Sequence, residues 1–290
     1  MNTAPKISEE RLKVIDNIAE AVKEKNTFKK VELHDPFVTD EMIKQVIIPF
    51  DNLKRHPINR IKADLAILIG EHLTRKLNKN TVIVGLENAL SIKGGAILTS
   101  NHFSVMDNTI IRVLSAKCKR ARKLSVVIQH TNVFMKGLFG FLLKNGYTLP
   151  VAPSVSYMAK NFKPAVKKLL GKGRFVLIYP EAEMWFNYKK PREGREGAYQ
   201  IACECGVPVL PCFVEMRECE GYDADGMRNV RHILHVLPPI YPDTSISARE
   251  ARAKMQKEDM ECKQRCYEEV YGIPLDDEFI PERDIAGYHK

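Results

Sequence analysis

From Thr81 onward, short runs of branched and apolar residues alternate with longer segments of helical periodicity, and this alternation restricts the chain to a layered α/β fold with a largely parallel sheet. Strands are predicted over residues 81–84, 96–99, 124–128, 174–178, 207–215 and 231–237, and helices near 108–116, 133–144, 161–170 and 197–205. Ligands of such sheets gather at the carboxyl ends of the strands. Two polar segments, 102–107 and 179–183, each follow a predicted strand directly, so they are expected to face one crevice.

The flanks are helical. Residues 8–25 set Leu12, Ile15, Ile18, Ala19 and Val22 at helical spacing, residues 39–48 suggest a second short helix, and residues 58–77 a third. The third carries a stripe of Ile58, Ile61, Leu65, Leu68 and Ile69 between Arg55, Arg60, Lys62, Arg75 and Lys76. Such a stripe either lies in a lipid interface or packs on the α/β domain. Residues 1–80 are therefore expected to form an N-terminal helical region, a candidate for membrane-surface contact, and residues 81–290 the α/β domain. A charged helix over 247–271 closes it, stopped by Gly272 and Pro274. Residues 275–290 are expected as a surface-bound or frayed end.

Charge is unevenly placed along the chain. The net charge is +9, yet residues 108–180 contain fourteen Lys and Arg and no Asp or Glu, whereas residues 181–290 carry 22 acidic and 15 basic groups. Either the fold neutralises the middle third internally or that third meets an anion: a phosphate-bearing substrate, an anionic membrane surface or nucleic acid. No nucleic-acid-binding module accompanies the charge, so nucleic acid is not expected as a partner. The seven cysteines lack paired C-x-x-C spacing and read as reduced thiols of a cytoplasmic protein, without a zinc site. No apolar run approaches the roughly 18 residues of a membrane span. A peripheral position on the cytoplasmic face of a membrane is the expectation.

His102 and Asp107 stand five apart, about 140° out of phase on a straight helix, so they meet only if His102 lies in the turn before the helix and Asp107 in its first turn. Taken alone, the pair reads either as a satisfied core histidine or as a base and its orienter, with the substrate supplying the nucleophile. Ser104 has no G-x-S-x-G elbow around it and reads as a capping or positioning residue. His232 and His235 lie three apart on a predicted strand and point to opposite faces, a poor metal pair. No metal or redox cofactor is called for.

Four ordered blocks place this pair in context. The run Asn101-His102-Phe103-Ser104-Val105-Met106-Asp107 resembles the NH-x4-D signature of the glycerolipid acyltransferase family, which includes the 1-acylglycerol-3-phosphate acyltransferases. Residues 146–151, Gly-Tyr-Thr-Leu-Pro-Val, resemble its second block, and Tyr179-Pro180-Glu181-Ala182-Glu183 its aromatic-Pro-Glu-Gly-Thr block. Arg195-Glu196-Gly197-Ala198 and residues 206–211 resemble the helix and strand that close the domain. The resemblance spans roughly residues 80–240. It implies acyl transfer from a thioester, acyl-CoA or acyl-carrier protein, to the hydroxyl of a lyso-lipid, 1-acylglycerol-3-phosphate foremost and another lyso-lipid or alcohol as the alternative. His102 would be the base, Asp107 its orienter and Glu181 an acceptor-positioning carboxylate, with Asn101, Ser104, Gly146 and Pro180 shaping the substrate site. A non-catalytic, basic lipid-binding protein of the same fold is the contrasting reading.

The departures from the family pattern concern phosphate. Val151 is followed by Ala152-Pro153-Ser154 in place of an arginine, and Glu183-Met184-Trp185 stands where the third block continues to Thr-Arg. Either Lys189, Lys190, Arg192 and Arg195 supply the missing charge, or Glu183 marks an acceptor without a phosphate there.

Overall fold

The computed structural model describes residues 4–33, 39, 57–120 and 123–290. Apart from Thr39, the helix expected over 39–48 lies outside them, as do Arg55 and Arg122. The strands are β1 (Val82–Val84), β2 (Ala96–Thr99), β3 (Leu124–Gln129), β4 (Thr148–Val151), β5 (Phe175–Ile178), β6 (Val209–Tyr222) and β7 (Arg228–Val236), in one sheet of order β1-β7-β6-β2-β5-β3-β4. Every pairing is parallel except β6 with β7. The central strand β2 is buried at all four positions, which explains why it reads as an unbroken apolar run.

Around the sheet lie α1 (Glu9–Lys23), α2 (Pro57–Leu77), α3 (Leu86–Ser91), α4 (Asn108–Lys117), α5 (Gly137–Asn145), α6 (Lys163–Gly171), α7 (Gly197–Cys205) and the long α8 (Ala248–Tyr271). One core cluster joins Ile110, Ile111 and Leu114 of α4 to Leu98, Phe175 and Leu210. Another joins Val166 and Leu170 of α6 and Ile201 of α7 to Ile97, Val176 and Val209. Neighbouring residues of β2 thus feed opposite layers, as the period of two demands.

Two features secure the end of β2, where His102 emerges. Asp259 of α8, only 2% exposed, accepts hydrogen bonds from Thr99 Oγ1 and Tyr199 OH, both at 2.6 Å, and from Lys263 Nζ at 2.8 Å. Asn101 exchanges both its amide hydrogen bonds with the backbone of Val214 in β6, at 2.8 and 3.1 Å. The closing helix is therefore more than an apolar cover, because a buried carboxylate on it ties β2 to α7.

The boundary expected at residue 80 falls in the turn between α2 and β1, and residues on its two sides share one core: Ile15 and Ile18 of α1 pack with Trp185, Tyr188, Met227 and Ile285. Of the two readings of residues 275–290, surface-bound or frayed, the structure shows a bound end. Asp284, Ile285 and Ala286 are fully buried, and Ala286 and Arg228 donate backbone hydrogen bonds to Asn187 and Gly287 carbonyls at 2.9 Å. The reason is electrostatic: Lys190, 2% exposed, pairs with Asp276 at 2.6 Å and Asp284 at 3.2 Å, and a buried ammonium needs such partners. Helix α2 turns Ala66 and Thr74 inward toward α4 and α5, while Ile58, Ile61, Leu65 and Leu68 are exposed.

Candidate active site

Because β5 lies between β2 and β3, the loops after these three strands meet at one edge of the sheet. His102 leaves β2, Tyr179 to Glu183 leave β5, and Gln129 ends β3. Asp107 sits at the entrance to α4, where its Oδ2 accepts from His102 Nδ1 at 2.7 Å and from the backbone N–H groups of Phe103 and Ser104 at 3.1 and 3.3 Å. The turn geometry required by the five-residue spacing is thus what forms. With Nδ1–H donated to the carboxylate, Nε2 carries the lone pair and is the available base. Ser104 Oγ accepts from Met106 N–H at 3.3 Å, a role inside the turn.

Sequence reasoning missed the function of Tyr179. Its ring stacks on His102, with centroids 4.1 Å apart and planes 18° from parallel, and its hydroxyl donates to Asp107 Oδ1 at 2.6 Å. Burial, then the Asp107 charge, pushes the phenol well above its usual range, so it stays protonated and serves as a donor. Asp107 therefore receives four hydrogen bonds while only 3% exposed, a fixed anchor for the imidazole. The available signal was an aromatic residue with a hydroxyl at the head of a block predicted to share the crevice.

Glu181 is held differently. It is 4% exposed, its Oε2 accepts from the backbone N–H of His102 at 3.1 Å, its Oε1 accepts from Arg192 N–H at 3.1 Å, and Arg192 Nη2 pairs with it at 2.8 Å. Arg192 also donates to the carbonyls of Thr27 and Glu183 and lies over the Trp185 ring. Burial lowers its pKa and Glu181 opposes that shift. This closed ion pair braces the loop from 181 to 192 against the backbone of His102. Ala182 takes the left-handed conformation, φ 64°, where the family block has glycine.

His102, Asp107, Tyr179, Pro180, Glu183 and Arg195 border a cavity of about 820 Å3 whose walls run on through Val126, Ile128, Phe139, Leu143, Met158, Phe162 and Ile201. A polar end thus opens into an apolar hollow. A smaller cavity of about 180 Å3 under α2 shares Asn108, Val126, Ile128, Phe139 and Leu143 with the first. Gly146 borders this second cavity, where a side chain would meet the Leu142 carbonyl at 2.6 Å. Asn101, Glu181, Lys189, Lys190 and Arg192 border neither. Lys189 donates to the Arg283 carbonyl at 2.9 Å, and Lys190 and Arg192 are buried in the ion pairs described. Of the four cations considered for phosphate, only Arg195 reaches the large cavity. His232 packs on Phe103, with centroids 5.3 Å apart, while His235 Nε2 pairs with Glu215 at 2.6 Å, so the two histidines serve separate environments.

The acyltransferase family model matches residues 57–215, more than half of the chain, including the loops after β2, β3 and β5. The chain belongs to the acyltransferase family. Among solved structures, the 1-acyl-sn-glycerophosphate (LPA) acyltransferase PlsC from Thermotoga maritima matches this acyltransferase with a TM-score of 0.47 and 17% identity, over 81% of this chain and 89% of that one. No curated protein matches it.

Proposed function

We propose that this acyltransferase moves a fatty acyl group from a thioester, acyl-CoA or acyl-carrier protein, to the hydroxyl of a lyso-glycerolipid. The observation that carries the reading is the His102 Nδ1 to Asp107 contact of 2.7 Å at the polar end of an otherwise apolar cavity. His102 Nε2 takes the acceptor's hydroxyl proton as the oxygen attacks the thioester carbonyl. When the tetrahedral intermediate collapses, the C–S bond breaks and the imidazolium returns the proton to the thiolate. The apolar walls suit the fatty chain, and the thioester is already activated.

A phosphatidate-forming reaction on 1-acylglycerol-3-phosphate is the finer reading that the sequence blocks suggest, while the side chains at the cavity mouth favour an acceptor without a phosphate monoester. Access from a membrane surface fits the exposed Ile58, Ile61, Leu65 and Leu68 of α2, and fits a chain in which no described helix is long and apolar enough to cross a bilayer. The test supplies purified protein with acyl-CoA and a panel of lyso-lipids and identifies products by mass. Product should form with wild-type protein and vanish with folded His102→Ala and Asp107→Asn; full activity in either variant contradicts the mechanism.

A further inference from the structure

The polar end of the large cavity is acidic. Glu183 projects from the loop braced by Arg192, and its Oε1 accepts from Gln129 Nε2 at 2.9 Å, so a neutral amide holds it in place. Arg192 lies close by, but its guanidinium is committed to Glu181 and to two backbone carbonyls. Further out, the mouth adds Glu10, Glu32 and Asp225 against Arg11 and Lys30, and Arg11 is already bound to Asp225 at 2.9 Å. Among the described lining residues, with Asp107 and Arg195 included, five carboxylates and three cations border the space an acceptor must enter. A phosphate monoester, carrying about −1.5 to −2 at neutral pH, is repelled by such a lining.

Building on the acyl-transfer reading above, we propose that the acceptor presents a protonated amine to Glu183: an amine-bearing lyso-lipid or amphiphilic amino alcohol, acylated on its hydroxyl. The Gln129 amide fixes the carboxylate without neutralising it, which keeps its charge for a ligand. Glu183 thereby stands where the family pattern has Thr, and Met184 stands in place of the arginine, so the block ends with a carboxylate and without its cation.

The experiment uses the full chain with acyl-CoA and three acceptors of equal acyl length: 1-acyl-glycerophosphoethanolamine, 1-acylglycerol-3-phosphate and 1-monoacylglycerol. Wild-type protein should favour the amine acceptor in kcat/KM over both others. In Glu183→Gln, the amine-to-neutral ratio should fall about tenfold, the size of a lost hydrogen bond to a charged group, mainly through KM. Glu183→Arg should shift preference toward the phosphate acceptor. A wild-type preference for the phosphate acceptor, or an equal loss on all three in Glu183→Gln, overturns the proposal. If no acceptor is acylated, the acyl-transfer reading fails while calorimetric binding of short-chain forms still decides this one. In that measurement the amine form must bind wild-type protein more tightly than Glu183→Gln, and equal affinities overturn the proposal.

Discussion

Two carboxylate clusters flank His102, and they are built for opposite ends. Asp107 gathers its four hydrogen bonds from two backbone N–H groups, the imidazole and the phenol, and leaves the histidine ring at the edge of a cavity. Glu181, three strands on in sequence order but touching the same residue, is sealed with a guanidinium and holds only the backbone of His102. In the mechanism proposed, one cluster aims a base while the other fixes the peptide that carries it. The two carboxylates near one histidine thus differ in their partners and in their access to the cavity.

This contrast can be broken at several points. The largest effect on folding should come from Arg192→Met, which strands a buried Glu181 charge and should cost roughly 3–5 kcal/mol in denaturant unfolding; the double variant with Glu181→Gln should recover much of that loss. On the catalytic side, Tyr179→Phe keeps the stacked ring and removes one hydrogen bond to Asp107. It should lower kcat about tenfold with KM nearly unchanged and unfolding free energy changed by about 1 kcal/mol. A tenfold change in KM alone would place Tyr179 in substrate binding instead.

A third prediction concerns the C-terminal strap. Lys190 and Arg283 hold the Asp276 carboxyl down to about 2. Because its folded pKa lies below the unfolded value of about 3.9, its stabilisation is present above pH 4 and is lost as pH falls toward 2. Amide exchange across residues 275–290 should therefore accelerate over that window in wild-type protein, and much less in an Asp276→Asn variant. The smallest effect is expected at Ala182. Glycine there relieves about 1 kcal/mol of left-handed strain and gives back most of it as unfolded-state entropy, so Ala182→Gly should move the unfolding free energy by less than about 0.5 kcal/mol.

Apart from the edge strand β4 and the short α3, the order of strands and helices was legible because β2, β3 and β5 are short apolar runs between helical segments, and the His102 turn was legible because the spacing to Asp107 permits no other meeting. The Tyr179 hydrogen bond was not, since it depends on β5 lying next to β2, a pairing between segments over seventy residues apart. The cations from Lys189 to Arg195 were misleading for a related reason. A dense basic run looks like an exposed binding loop, and only the half-buried Asp276 and the buried Asp284 and Glu181 reveal which of them face inward. The end of the chain was left open between surface-bound and frayed because its apolar content is low; its anchor is an ion-pair network that no periodicity reports.

The central claim is that His102 Nε2 removes the acceptor proton. Its most direct test is the single-turnover rate of acyl transfer in His102→Ala, with saturating acyl-CoA and acceptor and with folding followed by circular dichroism. The account predicts a loss of about 100-fold or more in a protein that still unfolds cooperatively, and a folded variant transferring acyl groups within twofold of the wild-type rate would contradict it.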